Sequence, residues 1–288
     1  MKLLQNDGRK FSKGQKKIAE YIGNNYDKAA FMTAAKLGKA VGVSESTVVR
    51  FAIELGFEGY PGFQKALSNL IKNKLTSVQR VEVASEQIGS DVLGRVISLD
   101  VDLIRKTAEE INRDAFGEAV QKITKAKRIY IIGVRSASAI ASFIHFYFRL
   151  FFKNVTLVST TSSAEVFETV MDINEDDVLI AISFPRYSKR TVKAAHYCHQ
   201  NKASVIAITD SENSPLSAYA DDLLIARSGT VTFADSLVAP MSLANALIAA
   251  VGLQKKEEIS ETFRRLEEIW DEYDIYEKSE PIDGKQTN

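Results

Sequence analysis

Apolar residues recur at helical spacing through the first quarter of the chain. Within it, Thr33 to Gly56 predicts two short helices joined by a tight turn, because Gly42 accepts the left-handed backbone that such a turn needs. Thr33 and Ser44 are of the types that cap helix starts, and Gly56 suits the end of the second helix. The apolar residues predicted to face inward and hold the two helices together are Leu37, Ala40, Val41, Val43, Val48 and Ala52.

Two helices with this spacing are typical of a helix-turn-helix, which presents the outer face of its second helix to the major groove of DNA. Glu45, Ser46, Thr47 and Arg50 are left on that outer face. The alternative is a helical hairpin whose polar face is merely solvated. The full set of candidate DNA-contacting residues, with the two lysines placed for phosphates, is Lys36, Lys39, Ser44, Glu45, Ser46, Thr47 and Arg50.

Charge separates this region from the rest of the chain. Residues 1–77 hold 13 Lys and Arg against 6 Asp and Glu, whereas residues 78–288 hold 24 against 31. The neutrality of the whole chain therefore conceals a basic head and an acidic body. A basic head attracts phosphates, and an acidic body repels DNA and leaves the contact to the head. Because the charge coincides with the helix pair, DNA binding is the leading interpretation.

Further helices are predicted around the pair. Ser12 suits the cap of a preceding helix, and Pro61 suits the first turn of a following one. Residues 76–89 are polar and irregular, as expected of a linker, and a long helix with apolar residues between Val92 and Ile104 comes next. The chain is thus predicted to begin with an all-α helix-turn-helix head, residues 1–77, followed by a linker and connecting helix, residues 78–113.

From about residue 114 the pattern changes to short runs rich in Val and Ile. The predicted strands are 128–134, 154–159, 177–184, 203–209 and 221–226. Helical patterns alternate with them, at 136–152, 163–171, 188–201 and about 235–252. This alternation predicts an α/β domain, residues 114–254, with a parallel sheet flanked by helices on both faces. An acidic helical tail, residues 255–288, follows, and Leu266, Ile269 and Trp270 are expected to dock its helix.

Bulk properties limit the class of protein. A chain of 288 residues that is 45% apolar can bury two ordinary cores. Its longest apolar stretch, Ala139–Phe152, is interrupted by His145 and Arg149 and is shorter than the roughly 20 residues of a membrane span. There is a single cysteine, Cys198, and no secretory signal is recognisable at the N-terminus. We therefore expect a soluble cytoplasmic protein.

Two loops rich in hydroxyl groups lie at the predicted carboxyl edge of the sheet, where open parallel sheets bind ligands. They are residues 133–138 and 183–188. The helix N-termini that follow offer unpaired N–H groups suited to a phosphate, and arginines can pair with an anion. The alternative is that the serines only cap their helices. The candidate anion-binding residues are Arg135, Ser136, Ser138, Ser183, Arg186, Tyr187 and Ser188.

The two loops and their surroundings resemble a sugar isomerase (SIS) domain, over IIGVRSASAIASFIHFYFRLFFKNV and ISFPRYSKRTVKAAHYCHQNKASVIAITDSENSPLSAYADDLL. The head, with VSESTVVRFAIELGFEGYPGFQKAL, resembles the N-terminal domain of the RpiR/MurR family of bacterial transcription regulators. Together the two matches cover nearly the whole chain in the family's order. The resemblance implies a homo-oligomeric repressor or activator whose SIS domain senses a phosphorylated sugar through serines and threonines of the two loops.

The resemblance carries four serines into the phosphate-binding loops: Ser136, Ser138, Ser183 and Ser188. The last two occupy the first Ser and final Thr positions of the family's usual S-x-S-G-x-T pattern. This chain departs from the pattern at Pro185 and Arg186, where Ser and Gly are common. The departure removes one hydroxyl and adds a guanidinium. Arg186 could replace the lost contact, or the pocket could favour a more acidic ligand such as a sugar acid phosphate.

An enzyme is the rival interpretation, because SIS folds also occur in ketose–aldose isomerases. Moving a proton between adjacent sugar carbons needs a general base, for which Glu165, Glu168 and His145 are the candidates. No acid–base constellation accompanies them, so we predict that the chain is not an enzyme. The alternative is a sugar-phosphate isomerase with an accessory nucleic-acid-binding head.

Neither a metal nor a cofactor is expected. His196 and His199 share a helix face, but Cys198 projects elsewhere, whereas zinc needs three or four convergent ligands. The expected partners are a double-stranded DNA operator with a palindromic sequence, a phosphorylated sugar effector, and further copies of the chain in a homodimer or homotetramer. The linker at 76–89 is expected to transmit the effect of the sugar to the spacing of two heads.

Overall fold

The computed structural model describes residues 11–71, 78–79, 81, 91–160, 162–229 and 234–277. These residues fall into two compact units. The first lies within Met1–Glu109, Phe184–Tyr187 and Arg227–Ala239, and the second within Glu110–Ser183, Ser188–Ala226 and Pro240–Asn288. Apart from residues 78, 79 and 81, the predicted linker at 76–89 lies outside the described residues.

The helices of the head are α1 (Lys13–Asn24), α2 (Tyr26–Ala29), α3 (Ala34–Val41), α4 (Glu45–Glu54) and α5 (Tyr60–Ile71). Local chemistry sets their starts, as predicted. Ser12 caps α1 in a capping box with Gln15, and Thr33 caps α3. Gly42 ends α3 with φ 74°, which confirms the predicted left-handed turn.

The head encloses its own hydrophobic core. Phe51 and Phe63 are fully buried and meet edge to face, with ring centroids 5.9 Å apart. Of the residues predicted to face inward, Ala40 is exposed, so that prediction was wrong. At 3.6 residues per turn, Ala40 lies roughly 110° from the centre of the buried face of α3. The predictions for the others are confirmed in full at Leu37, Val48 and Ala52 and in part at Val41 and Val43.

The first unit also contains α6 (Val92–Glu110), the predicted connecting helix. Of its residues, all of which the structure describes, Thr107 alone is buried. The Thr107 hydroxyl accepts a hydrogen bond from the backbone N–H of Arg227 at 2.9 Å and donates to the carbonyl of Leu103 at 2.9 Å. The hydroxyl of Ser236 lies 2.5 Å from the carboxylate of Asp100. Arg227 and Ser236, which lie on either side of the undescribed residues 230–233, are therefore both hydrogen-bonded to α6.

The second unit is built on a parallel sheet of five strands in the order β2-β1-β3-β4-β5. The strands are β1 (Ile129–Gly133), β2 (Val155–Val158), β3 (Val178–Ile182), β4 (Ser204–Thr209) and β5 (Asp222–Ile225). Every residue of β1 and β3 is buried, because helices cover both faces of the sheet. All five predicted runs are confirmed as strands.

The helices of the second half of the chain are α7 (Arg113–Lys125), α8 (Ala137–Phe148), α9 (Ser163–Val170), α10 (Lys189–Gln200), α11 (Val238–Gln254) and α12 (Lys256–Glu272). α8 packs against β1 and β2, and α10 packs against β3 and β4. The Arg128 guanidinium forms two hydrogen bonds, of 3.0 and 2.6 Å, with the buried carboxylate of Asp177. None of the described helices is long and apolar enough to span a membrane.

The acidic tail differs from its prediction. No residue of α12, which is described throughout, is buried, and Ile269 is 47% exposed, so the prediction that Ile269 docks the helix was wrong. Trp270 instead contacts the rings of Phe263 and Tyr276 from the same segment. At the other end of α12, Ile259 lies against Gly252 of α11, since a methyl group added there would come within 3.3 Å of it.

Candidate functional site

The candidate DNA-reading surface is the exposed face of α4. Ser44 begins the helix, and its Oγ accepts a hydrogen bond from the backbone N–H of Thr47 at 3.3 Å. The same oxygen lies 2.9 Å from the hydroxyl of Ser46 and 2.8 Å from that of Thr47. Three hydroxyls thus cluster at the positive end of the helix, an arrangement suited to a phosphate or a base edge.

Arg50 lies one turn further along the same face. Its Nε donates to the carbonyl of Ser46 at 3.3 Å, and a terminal nitrogen lies 3.5 Å from the Ser46 hydroxyl. Glu45, Ser46 and Arg50 are exposed, whereas Thr47 is half-buried. The guanidinium is therefore held against the first turn of α4 while its outer edge faces solvent.

The structure adds residues that the sequence interpretation did not name. Ile53 is 53% exposed and follows Arg50 by three positions, so it extends the same face by one turn. Gly14 of α1 lies against the side chain of Thr47, since a methyl group added there would come within 3.3 Å of it. α1 therefore begins beside α4, and its exposed lysines add positive charge there. These lysines are Lys13, Lys16 and Lys17, and the predicted Lys36 and Lys39 are likewise exposed on α3.

The loop after β1 has an unusual backbone. The last residue of β1 must be a glycine, because a Cβ on Gly133 would lie 2.5 Å from the carbonyl oxygen of Ala137. Arg135 follows with φ 61°, a conformation uncommon for a residue with a side chain. The Ser138 hydroxyl donates to the carbonyl of Arg135 at 2.6 Å. Ser136 stands at the start of α8, but its hydroxyl caps nothing in the described part of the chain. The capping alternative therefore does not account for Ser136.

The loop after β3 uses its serines differently. Ser183 is buried, and its Oγ accepts a hydrogen bond from the backbone N–H of Ser188 at 3.1 Å. Ser188 caps α10 through the N–H of Thr191 at 3.4 Å, so the capping alternative does account for part of its role. The hydroxyl still has a proton to donate to a ligand. Thr191, which the sequence interpretation missed, has a buried hydroxyl with no partner among the described residues.

β1 and β3 are neighbours in the sheet, and Gly133 pairs with Ile182 in their register. The loops after these residues therefore start side by side, separated by about the 4.8 Å spacing of strands. The structure brings together at this edge the predicted residues Arg135, Ser136, Ser138, Ser183 and Ser188. Arg186, exposed with φ 61°, and Tyr187, half-buried, belong to the first compact unit.

A third loop, after β2, lies at the same edge. The Thr160 hydroxyl is hydrogen-bonded to the carboxylate of Glu165, and Arg190 donates to the Thr160 carbonyl at 3.0 Å. Because β1 lies between β2 and β3, this Arg190 bond passes across the carboxyl end of β1. The sequence singled out Glu165 as a possible base and placed Arg190 directly after the second serine loop, but it gave no sign of a role for Thr160.

The other candidate bases differ in position. His145 hydrogen-bonds to the backbone of Val155, the first residue of β2, so it lies at the opposite edge of the sheet from the loops. Burial, and secondarily the charge of Arg149, lowers the pKa of His145. Glu168 is exposed on α9, one turn beyond Glu165. Only Glu165 of the three is therefore held by a side chain of the three loops.

The cysteine and the two neighbouring histidines do not converge. Cys198 is fully buried, and burial raises the pKa of its thiol to about 12. The rings of His196 and His199 lie 4.8 and 6.4 Å from the ring of Tyr219. Within the described ranges, no group of three or more His, Cys, Asp or Glu is placed to hold a metal ion.

Two family models match the chain, a helix-turn-helix domain of the rpiR family over residues 1–74 and a SIS domain over residues 122–250. An HTH-type transcriptional regulator of Clostridium perfringens is 28% identical over 232 residues, which cover 80% of this chain and 82% of that protein. The HTH-type transcriptional regulator HexR of Escherichia coli is 28% identical over 214 residues, 74% of this chain and 72% of HexR.

Among solved structures, the Vibrio vulnificus NanR protein complexed with ManNAc-6P superimposes with a TM-score of 0.58. It is 22% identical, and the match covers 94% of this chain and 97% of that one, so it shows a shared fold across both domains. The helix-turn-helix model of the rpiR family and the SIS model both match, and the relatives are HTH-type transcriptional regulators, so this chain belongs to the rpiR family of helix-turn-helix transcriptional regulators and carries a SIS domain.

Proposed function

We propose that this regulator binds operator DNA through α4 and that a phosphorylated sugar, held at the carboxyl edge of its SIS sheet, controls that binding. The observation that carries the proposal is the register of β1 and β3. Gly133 pairs with Ile182, so the two serine loops that follow these residues begin side by side. In this proposal residues 1–77 read DNA, 78–113 connect, 114–254 sense the sugar, and 255–288 form an acidic tail.

DNA recognition rests on the exposed face of α4. Arg50 and Ser46 carry the donors and acceptors that base edges require, and Ser44 and Thr47 stand at a helix N-terminus suited to a phosphate. Lys36 and Lys39 are exposed on the preceding helix. The acidic remainder of the chain repels DNA and so favours contact through this face.

Effector binding rests on the two serine loops. A phosphate at this edge would meet the Ser136 hydroxyl, which caps nothing, and the first turns of α8 and α10. The complex of NanR with ManNAc-6P supports a phosphorylated sugar as the class of ligand. Arg135, Ser138, Ser183, Arg186, Tyr187 and Ser188 complete the proposed set.

An oligomer would give the regulator two heads for a palindromic operator, because a twofold axis in the protein matches one in the DNA. α6 presents an apolar stripe in which Leu93 is 73%, Ile97 54% and Val101 47% exposed. A stripe of this kind on one helix is suited to burial against a second copy. We include a homodimer or homotetramer in the proposal on this ground. We also propose a cytoplasmic location, because a transcriptional regulator must reach its DNA.

Isomerase activity is the second candidate, and the position of Glu165 favours it. The carboxylate stands at the same edge as the serine loops and is hydrogen-bonded to Thr160. A general base must reach the carbon-bound proton of a sugar held at the loops. Turnover of a sugar phosphate that disappears in Glu165→Gln would establish this activity. We propose that the protein is not an enzyme, because its relatives are HTH-type transcriptional regulators and a DNA-binding head has no role in a simple isomerase.

The test is a binding experiment on the purified full chain. DNA from upstream of its own gene is titrated by fluorescence anisotropy, with and without ManNAc-6P, glucose 6-phosphate, 6-phosphogluconate and inorganic phosphate. Calorimetry then measures the affinity of each compound for the protein. We expect one sugar phosphate to bind and to change the DNA affinity at least tenfold. Absence of DNA binding, or DNA binding that no sugar phosphate alters, would contradict the proposal.

A further inference from the structure

Ser183 is connected to α6 by a series of hydrogen bonds between residues far apart in the chain. The Thr209 hydroxyl, which is fully buried at the end of β4, donates to the carbonyl of Ser183 at 2.8 Å. The carbonyl of Thr209 in turn accepts from the backbone N–H of Ala226 at 2.8 Å. A residue of the second serine loop is thus tied to the end of β5.

The next residue continues the connection. The backbone N–H of Arg227 donates to the Thr107 hydroxyl of α6 at 2.9 Å, and that hydroxyl donates to the carbonyl of Leu103 at 2.9 Å. Thr107 is the one buried residue of a helix whose every residue is described. Its hydroxyl is therefore both acceptor and donor, and it joins residues that are 120 positions apart.

We propose that Thr209 and Thr107 transmit the effect of the bound sugar phosphate from Ser183 to α6, and hence to the DNA-binding head. This inference rests on the proposed function of the serine loops. α6 up to Glu109 belongs to the same compact unit as the head, and in this proposal a change in its hydrogen bonding alters DNA binding by that head. Thr209 and Thr107 are positioning residues, because neither belongs to the serine loops or to the exposed face of α4.

The hydrogen bonds of Ser183 explain how ligand binding would act on this connection. Its Oγ accepts from the N–H of Ser188, the residue that caps α10. A phosphate that accepts a hydrogen bond from the backbone N–H of Ser188 competes with the Ser183 Oγ for that proton and moves Ser183. Because interiors are close-packed, a shift of the Ser183 carbonyl must be followed by Thr209 or break their bond.

Coupling between two sites is a free energy that acts equally in both directions. If the two threonines carry it, their loss must weaken the response of DNA affinity to sugar and the response of sugar affinity to DNA by the same factor. Loss of either threonine leaves each separate affinity within about threefold of wild type, because neither side chain contacts a ligand. This pattern separates coupling from damage to either site.

The test compares Thr107→Val and Thr209→Val, which remove the hydroxyl, with Thr107→Ser and Thr209→Ser, which keep it. Thr124→Val is the matched control. Its hydroxyl makes the same helical bond as Thr107, to the carbonyl of Val120 at 2.7 Å, but has no part in the connection. Each full-length variant is titrated with the DNA used above, with and without the sugar phosphate that affects wild type most.

We expect a wild-type change of tenfold or more to fall below twofold in both valine variants. It should persist in both serine variants and in Thr124→Val. Thermal unfolding identifies a variant that fails to fold, and the remaining threonine then decides the question. Valine variants that respond like wild type would overturn this inference alone. A wild type that binds DNA but responds to no sugar phosphate would overturn the proposed function, and this inference with it.

Discussion

Replacing Arg50 with Ala tests whether α4 reads DNA. The guanidinium is exposed, and its contacts with Ser46, at 3.3 and 3.5 Å, are at the outer limit for hydrogen bonds. Losing them should change the free energy of unfolding by less than about 0.5 kcal/mol, since surface positions contribute little. A change in DNA binding would therefore report on the interface rather than on the fold.

The size of the loss distinguishes the two roles open to Arg50. If the guanidinium reads a base edge, Arg50→Ala should cost about 1–3 kcal/mol, which is roughly five- to 150-fold in affinity, and should relax the preference at one operator position. If it contacts a phosphate, the affinity should fall for all sequences alike. The slope of log K against log salt concentration should then decrease by about 0.9.

Fluorescence anisotropy at several salt concentrations, on the operator and on single-base variants of it, measures all of these quantities. Lys65→Ala is the matched control, because it removes one exposed positive charge from α5 of the same head. Circular dichroism checks that both variants fold. Equal operator affinity for Arg50→Ala and Lys65→Ala, with the same salt slope, would refute the assignment of this face of α4 to DNA.

Three further predictions concern the SIS domain. Ser136→Asp should abolish binding of the sugar phosphate in calorimetry while DNA affinity stays within twofold, because Ser136 makes no cap that the change would break; retained sugar binding would remove Ser136 from the site. Gly133→Ala should lower the free energy of unfolding in urea by about 1–3 kcal/mol, since its Cβ would lie 2.5 Å from the immobile carbonyl oxygen of Ala137; wild-type stability would contradict the close approach. Burial raises the pKa of Asp222 against the opposing effect of Lys122, so the folded state holds this proton more tightly than the unfolded state does. Stability should therefore fall as pH rises from the ordinary carboxyl pKa to the raised one, and Asp222→Asn should abolish that component in urea titrations across pH; an unchanged pH profile would exclude it.

Local signals in the sequence account for much of the head. Thr33 and Ser44 cap their helices, and Gly42 turns the chain. These roles were predictable because each depends only on the residue's own backbone or on atoms within three residues of it. Apolar runs likewise mark the strands, most clearly the central strands β1 and β3, which are buried throughout because helices cover both faces of the sheet. Ala40 shows the limit of this reasoning. Helical spacing alone did not determine whether Ala40 faces the core or the solvent. The packing of the neighbouring helices leaves it exposed.

The site at the sheet edge was predictable only in outline. The carboxyl edge and its two serine loops follow from the rule for parallel sheets, and the residues themselves are visible in the sequence. Which serine caps its helix is not visible in the sequence, and neither are the hydrogen bonds that join Thr160 to Glu165 and Arg190. His145 met the chemical requirement for a base, yet its helix carries it to the opposite edge, beside Val155.

The sequence by itself therefore determined the helix pair of the head and the five parallel strands, because short-range hydrogen bonding and hydrophobic periodicity suffice for these. Only the tertiary structure decided that Gly133 stands opposite Ile182 and that Thr107 accepts from Arg227, 120 positions away. The free energy of such bonds depends on how whole elements pack, which no local pattern of residues encodes. Any communication between sugar and DNA must use contacts of this second kind, since the two surfaces lie in separate parts of the chain.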